Sequence, residues 1–384
     1  MNLAFCIFKY YPFGGLEKNF LRILEETIRR GHAVTIFTMA WDDEIPDFIK
    51  QGKCKIEFIP PKGMTNHGKC SSFVKKVTPQ LQEGGFDLIV GFNRMPGLDL
   101  YYSADVCFVA DIRRRHAPIY RMTKRYRVFS AFEEAIFSSH SSTHILALSD
   151  IQRRIYTEEY ETQDDRFHPI PAGIDKQKIR DCCSPEQRTI FRDKFNVKDD
   201  EKMLVMVGSD YNRKGVVRSI HALAALPENI KSKTKLFVLG KGNIKKMQSI
   251  AQKLNISEHV KLPGAVNNVP EYLSTADFLL HPAVSENTGN AIVEGLIAGI
   301  PVIATSNCGY AVHIENSRAG YVIKGLKFSQ EEFNQRLLEG LSLSEETWAS
   351  WKKKALQYAD ETDFYSRPTV AADIIEERVR SLNN

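Results

Sequence analysis

The 384-residue chain predicts an α/β architecture made of two Rossmann-like, doubly wound domains facing a cleft. Three observations carry that expectation. Short apolar runs alternate with stretches of helical period, the alternation restarts near His168, and the length suffices for two domains of ordinary size. Ligands of open α/β sheets bind beyond the carboxyl ends of the strands, so the strand ends of the two domains are where a site is expected.

The first series opens with a strand over Leu3–Phe8. Gly14–Gly15 then opens a helix, Leu16–Arg30, with Leu16, Phe20, Ile23, Leu24 and Ile28 at helical spacing, and Gly31 ends it. Further strands are read at Ala33–Thr38, Lys55–Ile59, Asp87–Phe92 and Ile145–Ser149. The Pro- and Gly-rich stretch FHPIPAGID (167–175) reads as a junction. The second series has strands at Met203–Val207, Lys235–Leu239, Val260–Leu262, Phe278–His281 and Val302–Ala304. Glu345–Asn384 reads as helical. The division is therefore 1–168, 169–355 and a C-terminal helical segment, 356–384, for which the N-terminal domain is a candidate support.

Apolar residues make up 43% of the chain and charged residues 26%, an ordinary composition for a soluble protein. No stretch reaches the roughly 18 uninterrupted apolar residues of a membrane-spanning helix. The opening MNLAFCIFKYYPFGG lacks a basic leader and a small-residue cleavage site, so it reads as a first strand and not as a signal peptide. The 7 cysteines form no CxxC pair, which suits a reducing cytosol. No Cys/His cluster has zinc-ligand spacing, and no metal is expected. The net charge of +5 is unevenly spread: RRRHAPIYRMTKRYR carries Arg113, Arg114, Arg115, Arg121, Lys124, Arg125 and Arg127 and no acid. Ile119, Tyr120, Met122 and Tyr126 are interleaved with these cations. That mixture fits an anionic surface, either phospholipid headgroups or a phosphorylated acceptor. Nucleic acid is disfavoured, because no binding motif accompanies the run.

Three stretches bear chemistry. The Gly14–Gly15 turn leaves backbone N–H groups at the positive end of a helix, a seat for phosphate or carboxylate, although such turns often serve geometry alone. The pattern GxGxxG is absent. In VGSDYNRKGV (207–216), Arg213 and Lys214 stand in a loop between a strand and a helix, where paired cations can neutralise a diphosphate. In SENTGNAIVEGLIAGIPVIAT (285–305), Glu286 follows a strand ending in His281-Pro282. Glu294 stands eight positions on among apolar neighbours. A carboxylate in such a setting needs donors, and sugar or ribose hydroxyls supply them. Acids beside a cationic diphosphate seat describe a nucleotide-sugar pocket.

Glu286 and Glu294 resemble the E-x7-E element of retaining family 4 glycosyltransferases of the GT-B fold. Further stretches are FKYYPFGGLEKNFLRI (8–23), NHG (66–68), GFNRMPGLDLYYSADVC (91–107) and GSDYNRKGVVRSIHAL (208–223). They continue with LLHPAVSENTG (279–289), CGYAVHI (308–314) and DFYSRPTVAADII (363–375). Together these resemble the WaaG (RfaG) family of lipopolysaccharide core glucosyltransferases of Gram-negative bacteria, over nearly the whole chain.

The resemblance implies transfer of glucose from UDP-glucose, with retention, to a heptose of the inner core in an α-1,3 linkage. It implies an acceptor-binding N-terminal domain and a nucleotide-sugar-binding C-terminal one. Gly14, Gly15, Arg213 and Lys214 would hold the diphosphate, Glu286 the donor sugar and Glu294 the ribose. Backbone amides around Asn287, Thr288 and Gly289 would add contacts. The cations would take the place of a metal, and the departing phosphate oxygen would accept the acceptor's proton in a front-face attack. Asp99 is the candidate polar group near the acceptor, with a structural cap of the Pro96-Gly97 turn as its other reading. The basic segment would attach the enzyme to the cytoplasmic face of the inner membrane. Where the family has Asp this chain has Asn19, so no base role rests there. Near LPGAV (262–266) Ala265 replaces an Arg of enteric members, so uracil would be held by backbone groups. The open alternatives are another donor (UDP-galacturonate or UDP-N-acetylglucosamine), another acceptor, a UDP-sugar epimerase, or a non-catalytic membrane scaffold.

Overall fold

Two parallel sheets organise the chain, which a computed structural model describes at every residue except 13, 52, 53, 326, 383 and 384. The first sheet contains β1 (Asn2–Cys6), β2 (Ala33–Thr38), β3 (Cys54–Phe58), β4 (Leu88–Gly91), β5 (Leu100–Ser103), β6 (His144–Ala147) and β7 (Phe167–Pro169), in the order β3-β2-β1-β4-β5-β6-β7. The second contains β8 (Lys202–Val207), β9 (Thr234–Leu239), β10 (Val260–Gly264), β11 (Phe278–His281), β12 (Val302–Thr305) and β13 (Gly320–Ile323), in the order β10-β9-β8-β11-β12-β13. Each strand order reverses once, between β1 and β4 and between β8 and β11. Ligands of doubly wound sheets bind at such a reversal.

Both faces of the first sheet are buried. Leu3, Phe5 and Ile7 enter one apolar cluster with Phe20, Ile23 and Leu24 of the helix Gly15–Arg29, while Ala4 and Cys6 enter another with Phe73, Val77 and Ile136. Alternate residues of one strand feed opposite cores, which is why a parallel strand reads as a continuous apolar run. In the second sheet Leu204, Met206, Leu236, Val238, Phe278 and Leu280 enter one apolar cluster, and the alternating Met203, Val205, Phe237 and Leu279 are buried as well.

The chain divides into two units, Met1–Gly173 with Ser366 onward, and Ile174–Tyr365. The expected C-terminal segment is thus itself divided. The helix Glu345–Glu361 stays with the second unit: Trp348 Nε1 donates to the Asp277 carbonyl at 3.2 Å, and His313 Nδ1 meets the Tyr358 hydroxyl at 2.8 Å. The helix Arg367–Leu382 belongs to the first unit. Arg30 reaches Asp373 at 2.6 Å and Glu376 at 3.4 Å, and the buried Arg367 donates to the Pro171 carbonyl at 2.7 Å and the Tyr102 hydroxyl at 2.9 Å. Three strands were missing from the sequence reading: β5, β7 and β13. All seven cysteines are free. Among the described residues no helix is long and apolar enough to cross a membrane, and no cluster of three or more His, Cys, Asp or Glu is arranged to hold a metal.

Candidate functional site

The second unit brings three predicted residues into one cluster. The loop after β8 carries Arg213 and Lys214, and the loop after β11 carries Glu286. The Glu286 carboxylate accepts from the Arg213 guanidinium and from Lys214 Nζ, each at 2.6 Å to the same oxygen. The Lys214 and Glu286 side chains are 12% and 13% exposed, whereas Arg213 is 34% exposed and forms the open rim. Burial alone would push the Glu286 carboxyl up, but Lys214 and Arg213 outweigh it and hold the group below the usual carboxylate range.

Backbone geometry places these side chains. Gly208, at φ +143°, passes directly under Lys214, whose Cε lies 2.5 Å from where a Cβ would stand. At Gly215, φ +75°, a Cβ would meet the Pro282 carbonyl oxygen at 2.0 Å. Both positions require glycine because a side chain there is both strained and obstructed. Val284 N–H donates to the Arg213 carbonyl at 2.8 Å, so the two loops are tied to each other. The loop after β12 completes the support. Gly309 N–H donates to the Asn287 carbonyl at 3.1 Å, Tyr310 N–H to the Thr288 carbonyl at 2.8 Å, and Thr305 Oγ to the Ala283 carbonyl at 2.7 Å. Asn287 is buried, and Gly289, at φ +87°, caps the helix Asn290–Ile297. Glu294 lies in that helix, half-buried between Val293 and Gly295, which are fully covered.

Sequence reasoning passed over His281 as a functional group. It ends β11, is 1% exposed, and its Nε2 has no hydrogen-bond partner among the described residues. Burial, with Lys214 adding to it, pushes its pKa down to about 3, so a neutral imidazole underlies the charged cluster.

The first unit places Gly14 as the N-cap of the helix Gly15–Arg29, at the carboxyl end of β1 beside the sheet's reversal. Glu17, also absent from the sequence reading, lies over Gly14: its Oε2 is 1.6 Å from the place a Cβ would take. The signal was present, since an acid three residues past a helix cap commonly folds back on it. Asn19 donates to the Gly15 carbonyl at 2.7 Å and is buried.

Asp99 is corrected. Its carboxylate accepts from Ile89 N–H at 2.8 Å, its own N–H donates to the Ile89 carbonyl at 3.0 Å, and its carbonyl accepts from His144 N–H at 2.9 Å. These contacts lie at the amino ends of β4, β5 and β6, the edge of the sheet opposite the Gly14 turn. Asp99 fastens three strands and faces away from the strand ends where ligands bind, so the acceptor-side role is withdrawn.

The basic segment separates into two kinds of cation. Arg113 pairs with Glu159 at 2.5 Å, and Arg114 and Arg115 both pair with Asp111, which stands just before the run. Among the described residues, Arg121, Lys124, Arg125 and Arg127 make no ion pair; Arg125 lies over the Phe129 ring at 5.0 Å. Ile119 and Met122, 73% and 69% exposed, stand among them. The buried Glu133 fixes the start of the helix Phe108–Arg115, which leads into this segment, by accepting from Phe108 N–H at 2.7 Å, Val109 N–H at 3.0 Å and the Arg94 guanidinium.

A family model described as Glycosyltransferase Family 4 matches residues 13–178, and one described as Glycosyl transferases group 1 matches residues 187–358. The chain is similar to the lipopolysaccharide glucosyltransferase WaaG of Escherichia coli (strain K12), with 40% identity over 98% of each chain. Its fold is similar to the crystal structure of WaaG, a glycosyltransferase involved in lipopolysaccharide biosynthesis, at a TM-score of 0.90 and 40% identity, covering 97% of this chain and 99% of that one. The crystal structure of Anabaena HepE in complex with UDP-glucose shares the fold at a TM-score of 0.73 and 18% identity, covering 98% of this chain and 99% of that one.

Proposed function

The chain belongs to the family of the lipopolysaccharide glucosyltransferase WaaG and is a glycosyltransferase; on that premise we propose that it moves glucose from UDP-glucose, with retention, to an inner-core heptose in an α-1,3 linkage. The observation that supports this most is the cluster of Arg213, Lys214 and Glu286 at the carboxyl ends of β8 and β11. Two cations there converge on a single oxygen, the arrangement a phosphate oxygen would meet.

In the free chain Glu286 stands where the donor's phosphate is to go. The diphosphate carries more negative charge than one carboxylate and replaces it on Lys214 and Arg213. Glu286, released, accepts from hydroxyls of the donor sugar, and Glu294 from the ribose. As the glycosidic bond breaks, negative charge grows on the leaving UDP. Lys214 and Arg213 are already fixed opposite it, so stabilisation requires no rearrangement at the moment of reaction. The backbone around Asn287, Thr288 and Gly289, at the start of the helix Asn290–Ile297, adds contacts to the donor, and Gly14 and Gly15 offer a further anion seat in the first unit. The acceptor hydroxyl attacks the face from which UDP leaves and passes its proton to the departing phosphate oxygen. These roles need no metal. The protein acts from the cytoplasmic face of the inner membrane, with Arg121, Lys124, Arg125 and Arg127 toward anionic headgroups and Ile119 and Met122 between them.

The test offers UDP-glucose, UDP-galacturonate and UDP-N-acetylglucosamine to the enzyme with heptose-terminated core and measures UDP release with and without acceptor. Acceptor-dependent release from UDP-glucose is expected. Release that ignores the acceptor, or a preference for another donor, would overturn the assignment.

A further inference from the structure

The stretch 58–82 carries Lys62, Lys69, Lys75 and Lys76 and no acid, and it includes the run Asn66-His67-Gly68. The loop after β3 leads into the helix Asn66–Glu83 and is fastened to it. Lys62 N–H donates to Ser72 Oγ at 2.8 Å, Lys76 Nζ donates to the Pro60 carbonyl, and Thr65 Oγ accepts from Gly68 N–H at 3.3 Å. Gly63, at φ +114°, turns the chain at the tip. Met64 follows it and is 99% exposed, more than any other large apolar side chain among the described residues. Lys62 and Lys69 are exposed on either side of it, and among the described residues neither makes an ion pair. A fixed loop thus presents a bare methionine between two free cations.

The helix Asn66–Glu83 packs against the helix Lys124–Phe137 on one face of the first sheet, where Cys70, Phe73 and Val77 share an apolar cluster with Val128, Phe129 and Phe132. Both helices start beyond the carboxyl ends of strands, after β3 and after β5, so their first turns stand at the same end of that face. Burial pushes the Cys70 thiol up to about 11 and the Arg125 charge works against it, so Arg125 stands near the first turns of the other helix. The short turn Pro118–Met122, with Ile119 and Met122, packs on the start of the helix Lys124–Phe137. The acids of the region turn elsewhere: Glu57 pairs with Lys55, and the loop 42–44 leads into Ile45, Phe48 and Ile49 on the opposite face of the sheet. Two acid-free stretches therefore lie side by side, each with free cations around exposed apolar side chains. Such a surface suits an anionic bilayer better than a phosphorylated sugar, because Met64, Ile119 and Met122 offer a sugar no polar partner. We propose that the loop 59–65 and the first turn of the helix Asn66–Glu83 form a second membrane-contact element. Met64 enters the boundary between headgroups and acyl chains, and Lys62 and Lys69 meet lipid phosphates beside Arg121, Lys124, Arg125 and Arg127. The inference rests on the membrane reading of the basic segment and extends it to a region distant in sequence.

The experiment is sedimentation of the full chain with phosphatidylcholine vesicles, with and without phosphatidylglycerol. Wild type is expected to sediment with the anionic vesicles alone. Lys62→Gln together with Lys69→Gln is expected to weaken that binding about 30-fold at low salt, and Met64→Ser about tenfold with little dependence on salt. Met64→Trp reports insertion: relative to wild type, its added emission is expected to shift to the blue on anionic vesicles and to be quenched by lipids brominated on the acyl chains. Full binding by either weakened variant, or added emission that neither shifts nor is quenched, overturns the proposal. Unchanged vesicle affinity with a raised KM for phosphorylated core acceptor assigns the patch to the acceptor and overturns it as well. The Met64→Trp emission decides even if the lysine variant fails to fold. If wild type ignores anionic vesicles, the membrane reading of the basic segment falls and this proposal with it. If Arg121, Lys124 and Arg127 changed to Gln weaken binding while the loop variants do not, this proposal alone falls.

Discussion

The two units hold a carboxyl beside a helix-opening loop in opposite electrostatic ways. In the second, Glu286 sits between Arg213 and Lys214 and is held in its charged form. In the first, Glu17 sits on the turn at Gly14 with no ion pair among the described residues, and burial pushes its pKa up. The difference lies in the neighbours: Glu286 has two side-chain cations at 2.6 Å, whereas burial dominates at Glu17.

The largest effect that sharpens this contrast is expected at Lys214. Lys214→Ala should lower kcat by about 10²–10³-fold with a smaller change in KM, because the charge it meets increases on the way to the transition state. An equal loss in kcat and donor affinity would make Lys214 a binding residue only.

A third region, the basic segment, has cations of both kinds, and it tests whether internal carboxylates matter. Arg121, Lys124 and Arg127 changed together to Gln should weaken binding to anionic vesicles by about 100-fold at low salt, at about 1 kcal/mol per cation near the surface. The same change at Arg113, Arg114 and Arg115, whose charges are shared with Glu159 and Asp111, should cost less. Equal losses in the two triples, read by vesicle sedimentation across salt concentrations, would remove the distinction.

Stability against pH should run in opposite directions for the two acids. The pKa of Glu286 is depressed in the folded chain, so its contribution is present above the unfolded value of about 4.5 and is lost as pH falls through the lower folded value. For Glu17 the folded value is raised to about 7, so ionisation costs stability as pH climbs from about 4.5 to about 7. Thermal melts of Glu17→Gln should match wild type near pH 4.5 and exceed it at pH 8. An advantage confined to low pH would reverse the assignment. The smallest effect is expected at Asp99. Asp99→Ala should lose about 1–2 kcal/mol in urea unfolding, for one backbone bond, with kcat unchanged; a large fall in kcat would restore Asp99 to the reaction.

Much of this was legible beforehand. The doubly wound pattern showed as continuous apolar runs such as Leu3–Cys6 and Phe278–Leu280, buried on both faces. Arg213, Lys214 and Glu286 could be named because loops after strands carry sites. Other features depended on tertiary context. β5, β7 and β13 are three or four residues long and flanked by polar or Pro-Gly stretches, too short for period to speak. Asp99 was named as a polar group for the acceptor, with a structural cap as its other reading, and only the register of β4 and β5 shows that it lies at the amino ends of the strands. The partners of Arg113 and Arg114 are Glu159, distant in sequence, and Asp111, two residues before the run, so counting charges within the run overstated its free cations. Glu17 was passed over because a glutamate in a first helical turn is ordinary; its burial without a cation is not.

A crystal structure with UDP-glucose bound tests the central claim most directly. The account predicts diphosphate oxygens at about 3 Å from Lys214 Nζ and the Arg213 guanidinium, with Glu286 turned to the glucose hydroxyls. Glu286 still clasped between the two cations, with the diphosphate held elsewhere, would contradict it.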